Sequence, residues 1–130
     1  DGPEKENLIK LSQELGVQDH LELTGAIPRE QVLQLLSQSQ VLVHPSSYES
    51  FGFVLVEALQ QGAVVVARPV GIAPELEGVH LATDREEFKQ ATLAALQLSE
   101  EASLPDNFHL EQIKTKYLQL YQRLSAEHSN

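Results

Sequence analysis

The chain has no cysteine, no methionine and no tryptophan, and its 130 residues carry only 9 Lys and Arg against 19 Asp and Glu. Each shortage excludes something. Without cysteine there is no disulfide framework, no thiolate metal site and no cysteine nucleophile. The formal charge of −10 speaks against a broad nucleic-acid or anionic-lipid surface, because either needs clustered cations. No apolar run approaches the roughly 20 residues of a membrane helix, and no basic leader precedes an apolar core, so no signal peptide is in view. Membrane contact is not indicated, and a cytoplasmic location is expected. The five histidines, His20, His44, His80, His109 and His128, show no metal-ligand spacing. No metal and no cofactor are expected.

What is present alternates between two periods. Leu8, Leu11 and Leu15 share one helical face, and Gly16 stops it. Leu21-Glu22-Leu23-Thr24-Gly25 alternates as a short strand does. Pro28-Arg29-Glu30 opens a helix, with proline where its missing N–H costs nothing, and Val32, Leu35 and Leu36 carry it to about Gln38. Val41-Leu42-Val43-His44 reads as a strand closed by Pro45. A helix is expected from about Phe53 to Gln61, stopped by Gly62. Ala63 to Ala67 is β-branched and free of polar residues, the mark of a strand buried on both faces in a parallel sheet. Val79 to Ala82 reads as a weaker strand, and Thr83 or Asp84 caps a helix to about Leu98. After a loop at Pro105, a last helix places Leu110, Ile113, Tyr117, Leu120, Tyr121 and Leu124 on one stripe. The alternation predicts an α/β fold, a Rossmann-like parallel sheet of about four strands flanked by helices.

Ligands of such sheets bind outside the carboxyl ends of the strands, and the segment from Pro45 to Ala58 lies there. Glu57 is the only charged residue in the eighteen positions from Ser50 to Ala67, a costly place for an ion without a partner. The helix entrance after Gly52 offers unpaired N–H groups suited to a phosphate. From residue types alone a second reading stands equally: Glu49 a solvated loop carboxylate, Glu57 a helix-end acceptor. Ser46, Ser47 and Ser50 have no His and Asp placed for a triad. His44 reads as structural or, at most, as a neighbour of a bound phosphate. Glu30 to Ala67 contains no Lys or Arg, which leaves Arg68 as the nearest cation.

At this segment the chain resembles the retaining, nucleotide-sugar-dependent glycosyltransferases of family 4 (group 1), which have the GT-B fold. The family's mark is two glutamates with seven residues between them, after Pro-Ser and around Phe-Gly. Here it reads Pro45-Ser46, Glu49, Phe51-Gly52 and Glu57-Ala58. Gly71 and Pro74-Glu75 follow in the family's order; Asp1-Gly2-Pro3 resembles the end of its "G-D-G-P" turn and Leu23-Thr24-Gly25 its "F-x-G". The chain departs from the pattern at Gly71-Ile72, where the family often has two glycines, and in a short Leu76-Glu77-Gly78 loop.

The resemblance implies that residues 1–130 are part of the C-terminal nucleotide-sugar-binding domain of a hexosyltransferase. That enzyme would transfer with retention from a nucleotide diphosphate sugar, and its N-terminal acceptor domain and phosphate-clamping cations would lie outside this chain. Glu49 would be the catalytic-site residue that positions the sugar. Ser50, Phe51, Gly52, Phe53, Val54 and Leu55 would hold the sugar and phosphate, and Glu57 the ribose. Gly25, Ala26 and Ile27 would form the base-side loop, and Gly71 and Glu75 the sugar-side loop. These residues alone are expected to be inactive. A non-catalytic nucleotide-binding module and a nucleotide-sugar epimerase of GT-B architecture are the alternatives. In the doubly wound order, two further strands would lie between Leu21–Thr24 and Val41–His44. Without them, those two strands are expected to pair directly.

Overall fold

The structure, a computed structural model, describes residues 2–97, and the expected helix from Leu110 to Leu124 lies outside them. The chain divides into two compact units, 1–32 and 33–130. Seven principal elements follow one another: α1 (Lys5–Glu14), α2 (Arg29–Gln38), β1 (Val41–His44), α3 (Phe53–Gln60), β2 (Val64–Ala67), β3 (Val79–Leu81) and α4 (Arg85–Gln97). Single 3-10 turns cover Gln18–His20 and Ala73–Glu75.

The first unit holds α1 and the stretch up to the start of α2. The α1 helix ends as its sequence announces. Gly16 N–H donates to the Gln13 carbonyl at 3.1 Å and Val17 N–H to the Ser12 carbonyl at 2.9 Å, the paired bonds of a Schellman stop. Its apolar stripe is not covered within the described residues, since Leu8, Leu11 and Leu15 all remain exposed. Leu21 to Gly25 corrects the sequence reading: it forms no strand. Alternation specifies a strand only where a neighbour completes its hydrogen-bond ladder, and among the described residues none pairs with it. Among the described residues the sheet therefore has three strands rather than four, and the expected pairing of this segment with β1 is not among its ladders.

In the second unit the order is β1-β2-β3, both pairs parallel. Val41 sits opposite Val64, and Val65 opposite Val79. All four residues of central β2 are buried, as a strand with neighbours on both edges and helices on both faces must be. Val64 and Val66 form a core cluster with Ala82 and Ala95, joined by Phe88 and Ala91 of α4. Side chains alternate along a strand, so Val65 points to the opposite face, and α3 packs on β2 as well. Leu55, Ala58 and Leu59 of α3 are fully buried. The α3 helix closes with the same stop as α1: Gly62 N–H reaches the Leu59 carbonyl at 3.1 Å and Ala63 N–H the Ala58 carbonyl at 3.0 Å.

The α4 helix is capped on both sides of its first turn. Asp84 Oδ1 accepts from the N–H groups of Glu86 and Glu87, each at 2.9 Å. Glu87 reaches back to accept the Thr83 hydroxyl and N–H, each at 2.7 Å. This reciprocal arrangement is a variant of the capping box, in which the glutamate reaches Thr83, one residue before the Asp84 cap. The Thr83 hydroxyl, then its N–H, hold the Glu87 carboxyl below its ordinary pKa.

Candidate functional site

Strands β1 and β2 end side by side at His44 and Ala67, and the loops that leave them build one edge of the sheet. The loop after β1, residues 45–52, is pinned along its length. Ser46 donates its hydroxyl to the Tyr48 carbonyl at 2.7 Å. Arg68 Nε donates to the Pro45 carbonyl at 3.1 Å, and the guanidinium lies 6.0 Å from the centre of the Phe88 ring. The cation nearest the glutamate segment therefore braces the loop and packs on α4. At the far end, Ile72 N–H donates to the Phe51 carbonyl at 2.8 Å, tying the loop after β2 to the loop after β1.

Gly71 is the closest point of that tie. Its φ is +57°, and a Cβ built there would stand 2.5 Å from the Phe51 carbonyl oxygen and 3.0 Å from the Glu49 Cβ. Only glycine satisfies both the conformation and the approach. Ile72, where two glycines are usual in the pattern described above, turns its Cγ2 to within 3.8 Å of the Cβ position of Gly52. The bulkier residue thus packs beside the entrance of α3. Gly52, at φ +95°, is the N-cap of that helix and has no side-chain cap, so the first N–H groups of α3 are not capped by a side chain.

Glu49 lies within this frame. Its Oε1 is 2.7 Å from His44 Nε2, and the two side chains are 26% and 20% exposed. Its Cβ rests against Gly71. The carboxylate is held by a ring nitrogen from the strand end and is largely covered, which excludes the reading of Glu49 as a freely solvated loop acid. Sequence reasoning gave His44 no such part. The available signal was that His44 and Glu49 are the strand-end and mid-loop polar groups of one short turn in a stretch without Lys or Arg.

The second glutamate, Glu57, is half-buried in the second turn of α3, flanked by buried Val56 and Ala58. Phe51 and Phe53 stack with ring centres 4.4 Å apart, Phe53 remaining largely exposed. Val54 is half-buried and Leu55 fully buried, so Leu55 meets the core with its side chain. Ser50 is exposed, as is Glu75 at the end of its 3-10 turn. The structure thus brings Glu49, Phe51, Gly52 and Gly71 together, with His44 and Ile72 added. In the first unit, Gly25 and Ala26 line an open cleft of about 560 Å³ with Gly2, Pro3, Glu4 and Lys5 among others. Ile27 is not part of its lining, and the base-side role of this loop rests on the resemblance alone.

Residues 1–105 match the model of the family described as glycosyl transferases group 1. The chain belongs to that family. Among curated relatives of this glycosyltransferase domain, the phosphatidylinositol N-acetylglucosaminyltransferase gpi3 subunit of Schizosaccharomyces pombe is 35% identical over 81 residues, 62% of this chain and 18% of the relative. A GDP-Man:Man(3)GlcNAc(2)-PP-Dol alpha-1,2-mannosyltransferase of Dictyostelium discoideum is 40% identical over 62 residues, 48% of this chain and 12% of that protein. The D-inositol 3-phosphate glycosyltransferase of Mycolicibacterium smegmatis is 38% identical over 69 residues, 53% and 16% of the two chains. The matches thus span less than a fifth of these relatives' length. Among the described residues of the glycosyltransferase domain, no helix is long and apolar enough to cross a membrane. None of its described His, Asp and Glu form a group of three able to hold a metal.

Proposed function

We propose that the strand ends and loops from β1 to Glu75 form the donor site of a retaining hexosyltransferase of GT-B architecture that uses a nucleotide diphosphate sugar. The observation that carries this reading is the held carboxylate: Glu49, hydrogen-bonded to His44 and with its Cβ close against Gly71, stands beside an α-helix entrance without a side-chain cap. A positioned carboxylate accepts hydrogen bonds from sugar hydroxyls, and the start of α3, Phe53 to Leu55, offers N–H groups and a partial positive charge to a phosphate. One helical turn further, Glu57 would take the ribose hydroxyls. Glu75, exposed on the loop that Gly71 begins, borders the sugar. The names of the relatives support transfer of a sugar.

In this reading the domain binds and orients the donor, and the acceptor is held by residues outside this chain. The segment from Glu30 to Ala67 has no Lys or Arg, and Arg68 is engaged with Pro45. Charge building on the leaving diphosphate therefore needs cations from elsewhere, and these residues alone would turn over little or no donor. Glu49 acts by position, holding the sugar while the acceptor attacks and the diphosphate leaves.

Product analysis tests the proposal. The full-length protein is incubated with UDP-glucose, UDP-N-acetylglucosamine and GDP-mannose, each together with hydroxyl acceptors that include phosphatidylinositol and inositol phosphate, as the relatives' names suggest. Free nucleotide diphosphate together with a glycoside of retained anomeric configuration is expected with one of them, and with far less product for Glu49→Gln. An isomerised nucleotide sugar would make the protein an epimerase. Absence of both binding and turnover with all three would overturn the donor-site reading.

A further inference from the structure

Resting on the donor-site reading above, we propose that His44 is the positioning residue of Glu49: it occupies one carboxylate oxygen so that the other faces the donor sugar. The two residues, five positions apart, face each other across the turn, His44 from the end of β1 and Glu49 from the loop. The contact is short, 2.7 Å between Nε2 and Oε1. Both side chains are more than seventy per cent covered, so the bond is partly shielded from competing water. Among the described residues, His44 is the hydrogen-bond partner of the Glu49 carboxylate. A glutamate side chain has three rotatable bonds. Fixing Oε1 on a strand end restricts all three before any ligand arrives, and the close approach of Gly71 to the Glu49 Cβ sets the point from which the side chain starts.

His44 is itself seated firmly. It lies in register with Ala67 of the central strand, and its carbonyl accepts the Arg68 N–H at 3.4 Å. Its ring is thus carried by the sheet rather than by the loop it steadies. A carboxylate accepts only, so the bond requires the proton on Nε2. An amide nitrogen at the same distance supplies an equivalent donor, whereas an aliphatic side chain supplies none. Preorganisation of this kind strengthens only interactions that pass through the held group. The sugar's contribution to binding should therefore depend on His44, and the nucleotide's should not.

The test uses the full-length protein and four variants, His44→Gln, His44→Leu, His44→Asn and Glu49→Gln. Each is titrated with UDP and UDP-N-acetylglucosamine, and with GDP and GDP-mannose. For the matching pair, His44→Leu and Glu49→Gln should each lose the sugar's gain in affinity, and nucleotide release from the donor should fall roughly 10- to 100-fold. Affinity for the bare nucleotide should be unchanged. His44→Gln, whose amide nitrogen reaches the same place, should restore most of the release rate. The double variant His44→Leu/Glu49→Gln should be no worse than Glu49→Gln. If His44→Leu does not fold, His44→Asn, polar but too short to reach Oε1, takes its place. Wild-type behaviour of His44→Leu beside a crippled Glu49→Gln would overturn the role of His44 and leave the donor site standing. Equal losses in His44→Gln and His44→Leu would also overturn it. Wild-type behaviour of Glu49→Gln would overturn both.

Discussion

The two units of this chain were written with the same local grammar and came out differently. The α1 and α3 helices both carry a leucine stripe, and both close with a glycine and the same pair of backbone hydrogen bonds. Yet Leu55 and Leu59 are fully buried in the second unit, while Leu11 and Leu15 in the first are 49% and 66% exposed. The same holds for strands. Val64 to Ala67 has a strand on each edge and is buried throughout, whereas Leu21 to Gly25 alternates correctly and pairs with nothing described. Local signals set where an element starts and stops. Whether it is buried, and whether it can carry a site, depends on the layers around it.

That difference can be broken most forcefully at Leu55. Leu55→Ala removes a fully buried side chain and should lower stability by about 2–5 kcal/mol, read as a shift in the urea midpoint of the second unit's transition. A loss below about 1 kcal/mol would mean that the α3–sheet core is far looser than its burial implies. Next comes Gly71→Ala. The new methyl meets the Phe51 carbonyl at 2.5 Å in a left-handed conformation, costing about 1–3 kcal/mol and displacing Glu49. Sugar-nucleotide affinity should fall in this variant by more than nucleotide affinity does.

A smaller effect separates capping from packing. The folded-state pKa of Glu87 lies below its ordinary value because Thr83 donates to the carboxylate. Its contribution is then full above the unfolded pKa and is lost as pH falls through the folded one. The destabilisation caused by Glu87→Gln should be clear near neutral pH and vanish in acid. A difference that does not depend on pH would deny the capping box its charge. The smallest change is expected at Leu11→Ala. About half of that side chain already faces water, so the loss should stay under about 1 kcal/mol. A loss as large as that of Leu55→Ala would show that the two units are equally well packed.

Much of this was legible in the residues. Val41–His44 appeared as a strand at its true bounds, the buried valine strand and α3 fell within a residue of expectation, and of the two cap candidates Thr83 and Asp84 the latter capped α4. These elements are specified by neighbours in sequence. The strand at Leu21 failed because ladder partners are not written locally. At the site, the Pro-Ser, Glu and Phe-Gly pattern pointed to Glu49, but not to what holds it. The His44–Glu49 bond and the Gly71–Phe51 approach join residues through the turn and across the sheet edge, and types and spacing alone do not supply such distances. Arg68, the cation nearest the segment in sequence, proved to be tied to the Pro45 carbonyl.

The segment from Pro45 to Ala58 is proposed as a nucleotide-sugar site whose second glutamate holds the ribose. Calorimetric titration of UDP, GDP and ADP into the full-length protein and its Glu57→Gln variant tests this most directly. One of the three should bind the wild type and bind Glu57→Gln about tenfold more weakly, the loss of roughly one charged hydrogen-bond partner. Equal affinity in the two proteins, or no binding of any of the three to the wild type, would contradict it.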